Sequence, residues 1–212
     1  MKLVHFSKYP LKRKLESHKQ VKGARWDKGW WGPKPVGLWL SDEGSDYGWR
    51  AWCEGEDFRL DTLKYEYEVK LTPEARILYI RTDQELENFT AEYKAPGPLD
   101  EGEYLDKMRA ANPSYEPSVM GIDWGRVSKK YQGIVITPYM WAYRLESRYM
   151  WYYGWDCASG CIWDADAIAE VKLLKQHKVP RKKRDVTPAQ FVKRAEKLLG
   201  KMEKSRAKAN RT

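Results

Sequence analysis

Short apolar segments recur along the first 170 residues, and their pattern predicts a body built mainly from strands. Residues 63–71 alternate with a period of two, which places Tyr65, Tyr67 and Val69 on one side of a half-exposed strand. Residues 133–136 are apolar on both faces, as in a buried strand. Further strands are predicted at residues 3–7, 36–41, 76–81, 151–155 and 160–164.

Fewer segments carry a helical pattern. Residues 47–53 predict a helix with its tryptophans and Cys53 on one face. Thr82, followed three residues later by Glu85, predicts a capping box for a helix that begins near residue 83. Other helical segments are predicted at residues 104–110, inside an irregular insertion of residues 95–117, at 123–131, and by composition at 165–175. Several antiparallel-looking strands with few helices indicate an α+β fold with a split, mixed or antiparallel sheet.

The net charge of +9 is concentrated at one end of the sequence. Residues 171–212 hold 15 Lys or Arg and 3 Asp or Glu, a net charge of +12. Residues 1–170 hold the remaining 24 basic and 27 acidic side chains, a net charge of −3. The pattern therefore predicts a body of residues 1–178 followed by a basic appendage of residues 179–212.

The appendage is predicted to form a basic linker and an amphipathic helix. Thr187 and Pro188 suit an N-cap and a first helical turn, and Phe191, Ala195 and Leu198 follow the helical period. Three interpretations stay open: the basic side chains bind nucleic-acid phosphates, the apolar stripe docks on the body and the lysines are merely solvated, or the helix binds a membrane surface. The candidate nucleic-acid-binding residues are Arg181, Lys182, Lys183, Arg184, Lys193 and Lys197.

Composition and motifs disfavour several classes of protein. No apolar run approaches the roughly 18 residues needed to cross a bilayer, and the first residues lack the apolar stretch of a secretion signal. We therefore expect a soluble, cytoplasmic protein with no membrane partner. Cys53, Cys157 and Cys161 are interpreted as small buried thiols, and the three histidines are too few to suggest a metal site. A Gly-rich phosphate loop of the dehydrogenase or kinase type is missing from the sequence.

Three short segments carry polar groups in apolar, aromatic surroundings: residues 4–7, 37–41 and 161–164. They contribute His5, Trp39 and Asp164, a set suited to binding a dinucleotide and stabilising a sugar cation. Each residue also has a purely structural interpretation. His5 can be a core histidine, Trp39 can be ordinary packing, and Asp164 can be the N-cap of a following helix.

The order of these segments resembles that of the ADP-ribosyltransferases. The matching features are His-x-Ser in the first strand, Gly-Leu-Trp-x-Ser in the second, a Tyr-Gln-Gly-Ile-Val strand after a helix, and a late strand that ends in Asp. Residues 3–170 are most similar in layout to the small bacterial and phage branch that includes DNA-modifying toxins and an anti-CRISPR enzyme. The resemblance implies NAD as the substrate and no metal.

The resemblance also implies roles for individual residues. His5 would hold the adenosine ribose of NAD, with Ser7 supporting the same strand end, and Trp39 would stack on nicotinamide with Ser41 nearby. Asp164 would be the catalytic acid, in place of the commoner glutamate. Asp156 and Asp166 are rival carboxylates, of which Asp156 is the better because the turn after Cys157 could bring it back beside the strand. The full list of residues concerned is His5, Ser7, Trp39, Ser41, Asp156, Asp164 and Asp166.

The resulting hypothesis is a mono-ADP-ribosyltransferase of a toxin, defence or counter-defence type that modifies nucleic acid or a nucleic-acid-associated protein. In relatives that modify arginine, Glu or Gln usually lies two residues before the catalytic acid, where this chain has Ile162. Two alternatives stay open. One is an NAD glycohydrolase, and the other is a non-enzymatic nucleic-acid-binding protein that stacks bases on Trp26, Trp30 and Trp31 of a loop at residues 21–35.

Overall fold

The computed structural model describes residues 1–12, 14–20, 34–97 and 102–178. They form an α+β fold, which confirms the predicted class. The strands are β1 (Leu3–Ser7), β2 (Leu38–Asp42), β3 (Tyr65–Leu71), β4 (Ile77–Ile80), β5 (Gly133–Ile136), β6 (Ser159–Ile162) and β7 (Ile168–Gln176). The α-helices are α1 (Trp49–Glu56), α2 (Asp83–Tyr93), α3 (Glu103–Ala111) and α4 (Trp124–Lys130).

Short 3₁₀ segments complete the described part of the chain. They are Leu60–Lys64, Trp141–Tyr143, Ser147–Gly154 and Ala165–Ala167. The basic linker and amphipathic helix predicted for residues 179–212, with their six candidate phosphate-binding residues, lie outside the described residues. So does most of the loop predicted for residues 21–35. Among the helices that the structure describes, none has both the length and the apolarity required to span a bilayer.

All seven strands belong to one mixed sheet with the order β4-β5-β6-β2-β1-β3-β7. The neighbours β4 and β5 are parallel, and every other neighbouring pair is antiparallel. The central strands β6, β2 and β1 come from distant parts of the sequence. The sheet therefore brings residues near positions 5, 40 and 160 side by side.

Local sequence explains several of these elements. The Thr82 side chain accepts a hydrogen bond from the backbone N–H of Glu85, and the Glu85 carboxylate accepts one from the backbone N–H of Thr82, so the predicted capping box at α2 is confirmed. All four residues of β5 are buried, as their apolar run predicts. Tyr67 and Val69 in β3 point inward, and their intervening neighbours are more exposed.

The core covers both faces of the sheet. Ile134 and Ile136 of β5 join an aromatic cluster on one face with α2 and α4, whereas Val135 joins a smaller aliphatic cluster on the other. This division follows from the alternation of side chains along a strand. A third cluster joins α1 to β1 through Val4, Phe6, Trp52, Cys53, Leu63 and Cys157.

Strands β1 and β2 separate soon after they meet. Their ladder consists of the pairs Leu3–Asp42 and Val4–Ser41, while β2 continues to pair with β6 along its length. The closed end is fixed by the buried Asp42 carboxylate, which accepts hydrogen bonds from the Lys2 and Gly44 backbone N–H groups and from the Thr137 hydroxyl. The sheet is therefore split at its centre, between the segments that contain His5 and Trp39.

Two sequence predictions for secondary structure are wrong. Residues 151–155 were expected to be a strand, but they belong mostly to the Ser147–Gly154 3₁₀ segment, whose buried aromatic side chains pack in the core. Residues 165–175 have helical composition, yet they form one 3₁₀ turn followed by β7, because pairing with β3 outweighs their helical propensity.

The three cysteines are buried and unpaired, as predicted. Burial raises the pKa of both Cys53 and Cys157 to about 12, and it raises the pKa of Cys161 as well. At neutral pH these side chains are thus protonated thiols with little nucleophilic character.

A glycine in β6 is required by close packing between strands. A Cβ atom on Gly160 would lie 2.5 Å from the Ile134 carbonyl oxygen, and backbone cannot move aside as a flexible side chain can. We expect Gly160→Ala to lower the free energy of unfolding by about 1–3 kcal/mol in urea denaturation. Gly55→Ala is the control, because this position in α1 has no atom within 4 Å of the added carbon. The control should raise stability by about 0.5–1 kcal/mol, and equal urea midpoints for both variants would contradict the packing argument.

Candidate active site

A cavity of about 350 Å³ opens where β1 and β2 separate. Its walls come from both strands, from the start of α1, and from the segment that leads into β6. The titratable side chains in these walls are His5, Lys34, Arg59, Asp156 and Cys157. A concave site lined by apolar and aromatic side chains, with a few converging polar groups, is the usual form of a small-molecule site in proteins.

His5 bridges the gap between the two separated strands. Its Nδ1 lies 2.8 Å from the carbonyl oxygen of Trp39. A carbonyl oxygen can only accept, so Nδ1 carries the proton. Burial lowers the pKa of His5, and this effect outweighs the opposing effect of the Trp39 carbonyl. The imidazole is therefore neutral at pH 7, with Nε2 as a hydrogen-bond acceptor for a ligand hydroxyl.

Trp39 forms part of the wall beside His5. Its ring packs against Trp155 with a centroid separation of 4.9 Å. The Lys34 ammonium lies 5.2 Å from the Trp39 ring centroid, a cation–π distance. This wall therefore already holds a positive charge against an indole face.

Asp156 supplies the carboxylate of the pocket. Its Oδ2 lies 3.9 Å from Lys34 Nζ, and its side chain is only 25% exposed. Burial raises the pKa of Asp156, although the charges of Lys34 and Arg144 act to lower it. Burial likewise lowers the pKa of Lys34. An ion pair alone would shift both groups the other way, so desolvation is the larger effect at this pair.

Ser41 lines the cavity, but its hydroxyl is used within the protein. Ser41 Oγ donates to Glu43 Oε1 at 2.6 Å and accepts from the Trp49 backbone N–H at 2.7 Å. These bonds hold the first turn of α1 against the end of β2. Gly48 permits this arrangement, since a Cβ atom there would lie 2.5 Å from Glu43 Oε1. The predicted cofactor contact of Ser41 is thus accompanied by a structural role.

Asp164 does not belong to the residues that line this cavity. Its carboxylate accepts hydrogen bonds from Gln132, from the Ser17 hydroxyl, and from the Asp166 backbone N–H. The side-chain bond from Gln132 is the main cause of its lowered pKa. Asp164 therefore caps the 3₁₀ turn that follows β6. This role is close to the alternative in which Asp164 is the N-cap of a following helix.

The register of β6 explains why Asp156, and not Asp164, reaches the pocket. Ser159, at the start of β6, pairs with Ser41, and Ile162, at its end, pairs with Leu38. The residues just before β6, including Asp156, therefore lie beside the cavity, whereas Asp164, after β6, lies away from it. Ser7 also lies apart from the cavity walls, and its hydroxyl donates to the Tyr9 carbonyl oxygen at 2.8 Å. The structure thus brings His5, Trp39 and Ser41 together with Asp156, the better of the two rival carboxylates.

Arg59 is a residue of the pocket that sequence analysis missed. Its backbone has a φ of 47°, in the left-handed region that side chains other than glycine seldom adopt. The turn is held by Thr62, whose backbone N–H and hydroxyl both donate to the Arg59 carbonyl oxygen at 2.8 Å. Among the described residues no salt bridge is formed by Arg59, although its charge contributes to the lowered pKa of Asp61. Its side chain adds positive charge to the cavity wall. No local sequence signal marks this position.

Within the chain segments that the structure describes, no cluster of His, Cys, Asp or Glu has the composition of a metal site. Comparison with known proteins gives no relative. No protein-family model, curated protein or solved structure matches this chain. The resemblance to ADP-ribosyltransferases accordingly stays a prediction from sequence motifs, and the pocket itself is the basis for a functional proposal.

The Lys34–Asp156 pair can be tested by titration. Lys34→Met removes a charge that lowers the Asp156 pKa, so we expect this pKa to rise further above its ordinary value. Carboxyl NMR spectra recorded as a function of pH give the measurement. Lys64→Met is a matched control, because the Lys64 ammonium lies 5.2 Å from the Tyr65 centroid, the same cation–π distance, but outside this cavity. An Asp156 pKa that stays constant or falls in Lys34→Met would show that the pair is not formed.

Proposed function

We propose that the chain is an NAD-dependent mono-ADP-ribosyltransferase that uses the cavity between β1 and β2. The observation that carries the proposal is the convergence of the His5 imidazole, the Trp39 indole and the Asp156 carboxylate on this cavity. Each group matches a different part of the nicotinamide riboside half of NAD. The imidazole offers an acceptor for a hydroxyl of this ribose, in place of the adenosine ribose that the family resemblance implies for His5. The indole offers a face for the planar nicotinamide, and the carboxylate offers a negative charge for the sugar cation.

The size of the cavity is compatible with this substrate. Its volume of about 350 Å³ is at the lower end of the range for ligand sites in proteins. A nicotinamide riboside moiety fits such a volume, and the rest of a dinucleotide can extend along the open side. Arg59 supplies positive charge in the same walls, which suits the pyrophosphate.

The Asp156 carboxylate has the main chemical role. When the bond from the ribose C1′ to the nicotinamide nitrogen breaks, the bonding electrons leave with nicotinamide as a neutral molecule. Positive charge then develops on the ribose, and a nearby carboxylate stabilises that oxocarbenium-like state. An acceptor nucleophile forms the new bond to C1′ and releases its proton to solvent. Water in place of the acceptor would give free ADP-ribose, the product of the glycohydrolase alternative.

Burial of Asp156 favours this role. A carboxylate with little water around it interacts more strongly with a developing cation than an exposed one does. Lys34 opposes the effect of burial on the Asp156 pKa and so supports the charged form. The neutral His5, with its Nδ1 proton engaged by the Trp39 carbonyl, can accept from a ribose hydroxyl without repelling the pyridinium.

Two isosteric substitutions separate the candidate acids. Asp156→Asn removes the charge that stabilises the sugar cation, so we expect NAD turnover to fall by about 10²–10³-fold. Asp164→Asn is the matched control, because asparagine caps a helical turn about as well as aspartate does, and its turnover should stay close to wild type. Turnover is measured as release of nicotinamide from NAD. Loss of turnover in Asp164→Asn with full activity in Asp156→Asn would reverse the assignment.

Asp156→Asn should also affect the stability of the folded protein in a defined direction. The folded-state pKa of Asp156 is raised, so its ionisation costs stability as the pH rises through that pKa. Asp156→Asn should therefore unfold at the same or a higher denaturant concentration than wild type at pH 7. A pronounced loss of stability would mean that lost activity reports misfolding, and the catalytic assignment would then lack support.

A further inference from the structure

We infer that the Lys34 ammonium occupies the place of the nicotinamide ring on Trp39 and so acts as an internal competitor that NAD must displace. The inference rests on the proposed function, and it assigns to Lys34 control over how tightly the site binds its substrate. The class of ligand that it concerns is a planar aromatic cation, of which the pyridinium of NAD is one.

Lys34 contacts both groups that the proposed function assigns to the positive charges of the reaction. Its Nζ lies over the Trp39 ring, 5.2 Å from the centroid, and 3.9 Å from Asp156 Oδ2. One ammonium thus satisfies the indole face and the carboxylate together. A pyridinium riboside needs the same two contacts, the face for its ring and the carboxylate for its sugar.

The ammonium and a stacked ring cannot share this position. Lys34 and Trp39 both line the cavity, so the ammonium lies on the side of the indole from which a ligand would approach. The Trp155 ring packs against Trp39 at a centroid distance of 4.9 Å and an interplanar angle of 59°. Trp155 is buried in the core, so the flexible Lys34 side chain is the neighbour that can give way to a ligand ring.

The contacts that hold Lys34 are loose enough to be broken by a ligand. The distance of 3.9 Å to Asp156 is longer than a hydrogen bond, and 46% of the Lys34 side chain is exposed to solvent. Burial lowers the pKa of Lys34, so the charged ammonium is held in the cavity against a solvation penalty. That penalty is relieved when the side chain swings into water, where a long flexible lysine also regains rotamer freedom.

Gly154 leaves the space in which the Lys34 side chain lies. A Cβ atom on Gly154 would be 2.7 Å from Lys34 Cε, and the next two nearest atoms, Nζ and Cδ, also belong to Lys34. The three nearest atoms are thus all at the far end of one flexible side chain, and no backbone atom is among them. Gly154→Ala should therefore displace the Lys34 ammonium while leaving the charges of Lys34 and Asp156 in the protein.

An internal competitor has a defined effect on binding. If the site binds a ligand only while Lys34 is displaced, the apparent dissociation constant equals the intrinsic one divided by the fraction of molecules with Lys34 displaced. Removing the competitor then tightens binding without adding any contact to the ligand. A Lys34 that served only to keep Asp156 charged would have the opposite effect, because its removal would weaken the attraction of Asp156 for a cation.

The inference is tested with the full chain and 1-methylnicotinamide, a pyridinium cation without sugar or phosphate. We expect Gly154→Ala to lower the dissociation constant by about 3- to 30-fold, the range set by one cation–π contact and one partly exposed ion pair. Lys34→Met should lower it as well. Binding is measured by titration of the tryptophan fluorescence. With NAD as the substrate, the KM for nicotinamide release should fall in both variants.

A double variant and two controls sharpen the test. Gly154→Ala and Lys34→Met remove the same contact, so the double variant should bind no more tightly than the tighter single variant. Gly55→Ala adds a methyl group at a position with no atom within 4 Å, and Lys64→Met removes an ammonium over the Tyr65 ring, outside the cavity. Both controls should keep the wild-type dissociation constant.

The outcomes separate this inference from the proposed function. If the wild type releases no nicotinamide from NAD, the proposed function fails, and the 1-methylnicotinamide titration still decides whether Lys34 competes for the indole face. Equal dissociation constants in Gly154→Ala and Gly55→Ala, or no binding of 1-methylnicotinamide to any variant, would overturn the inference. So would tighter binding in Lys34→Met alone, because that result would report charge repulsion by the lysine and not occupancy of the site.

Discussion

The hydrogen bond from His5 to the Trp39 carbonyl oxygen is the contact on which the candidate site depends. Strands β1 and β2 pair only at one end, and beyond Val4 and Ser41 the two backbones are no longer joined by a ladder. Backbone polar groups exposed by such a split need other partners. The imidazole supplies one across the gap, at 2.8 Å, so the Trp39 carbonyl oxygen keeps a partner where the strand ladder has ended.

The gap between the two strands has consequences for electrostatics. A cavity inside a sheet removes water from the groups around it, and both members of the Lys34–Asp156 pair are affected more by this desolvation than by each other. The fold thus maintains a carboxylate whose charge is unfavourable for stability. Such an arrangement is typical of residues retained for chemistry, because a carboxylate needed only for stability would be better solvated or better paired. Asp164, which is well satisfied by hydrogen bonds, shows the contrasting case in the same chain.

Sequence alone predicts those parts of the fold that depend on nearby residues. The capping box of α2, the buried run of β5 and the alternation of β3 are each set within a few positions. β7 was missed because its composition is helical and its strand form depends on pairing with β3, about 100 residues away. The 3₁₀ segment at residues 147–154 was missed for a related reason, since its aromatic residues suit a strand locally but are buried in the core.

The parts of the candidate site that depend on local sequence were predictable, and the parts that depend on how strands align were not. His5 and Trp39 occupy strands that the pattern predicts, and both line the cavity. The choice between Asp156 and Asp164 depends on how β6 is aligned with β2, which local spacing does not specify. Arg59 and Lys34 reach the cavity from a turn and a loop. Local sequence does not specify where the side chains of such segments point.

The most direct test of the central claim is an experimental structure of the protein with a non-hydrolysable NAD analogue. The account predicts the pyridinium ring against Trp39, a ribose hydroxyl near His5 Nε2, and the Asp156 carboxylate beside the nicotinamide ribose. An analogue bound beside Asp164, bound on another face of the sheet, or not bound at saturating concentration would contradict it.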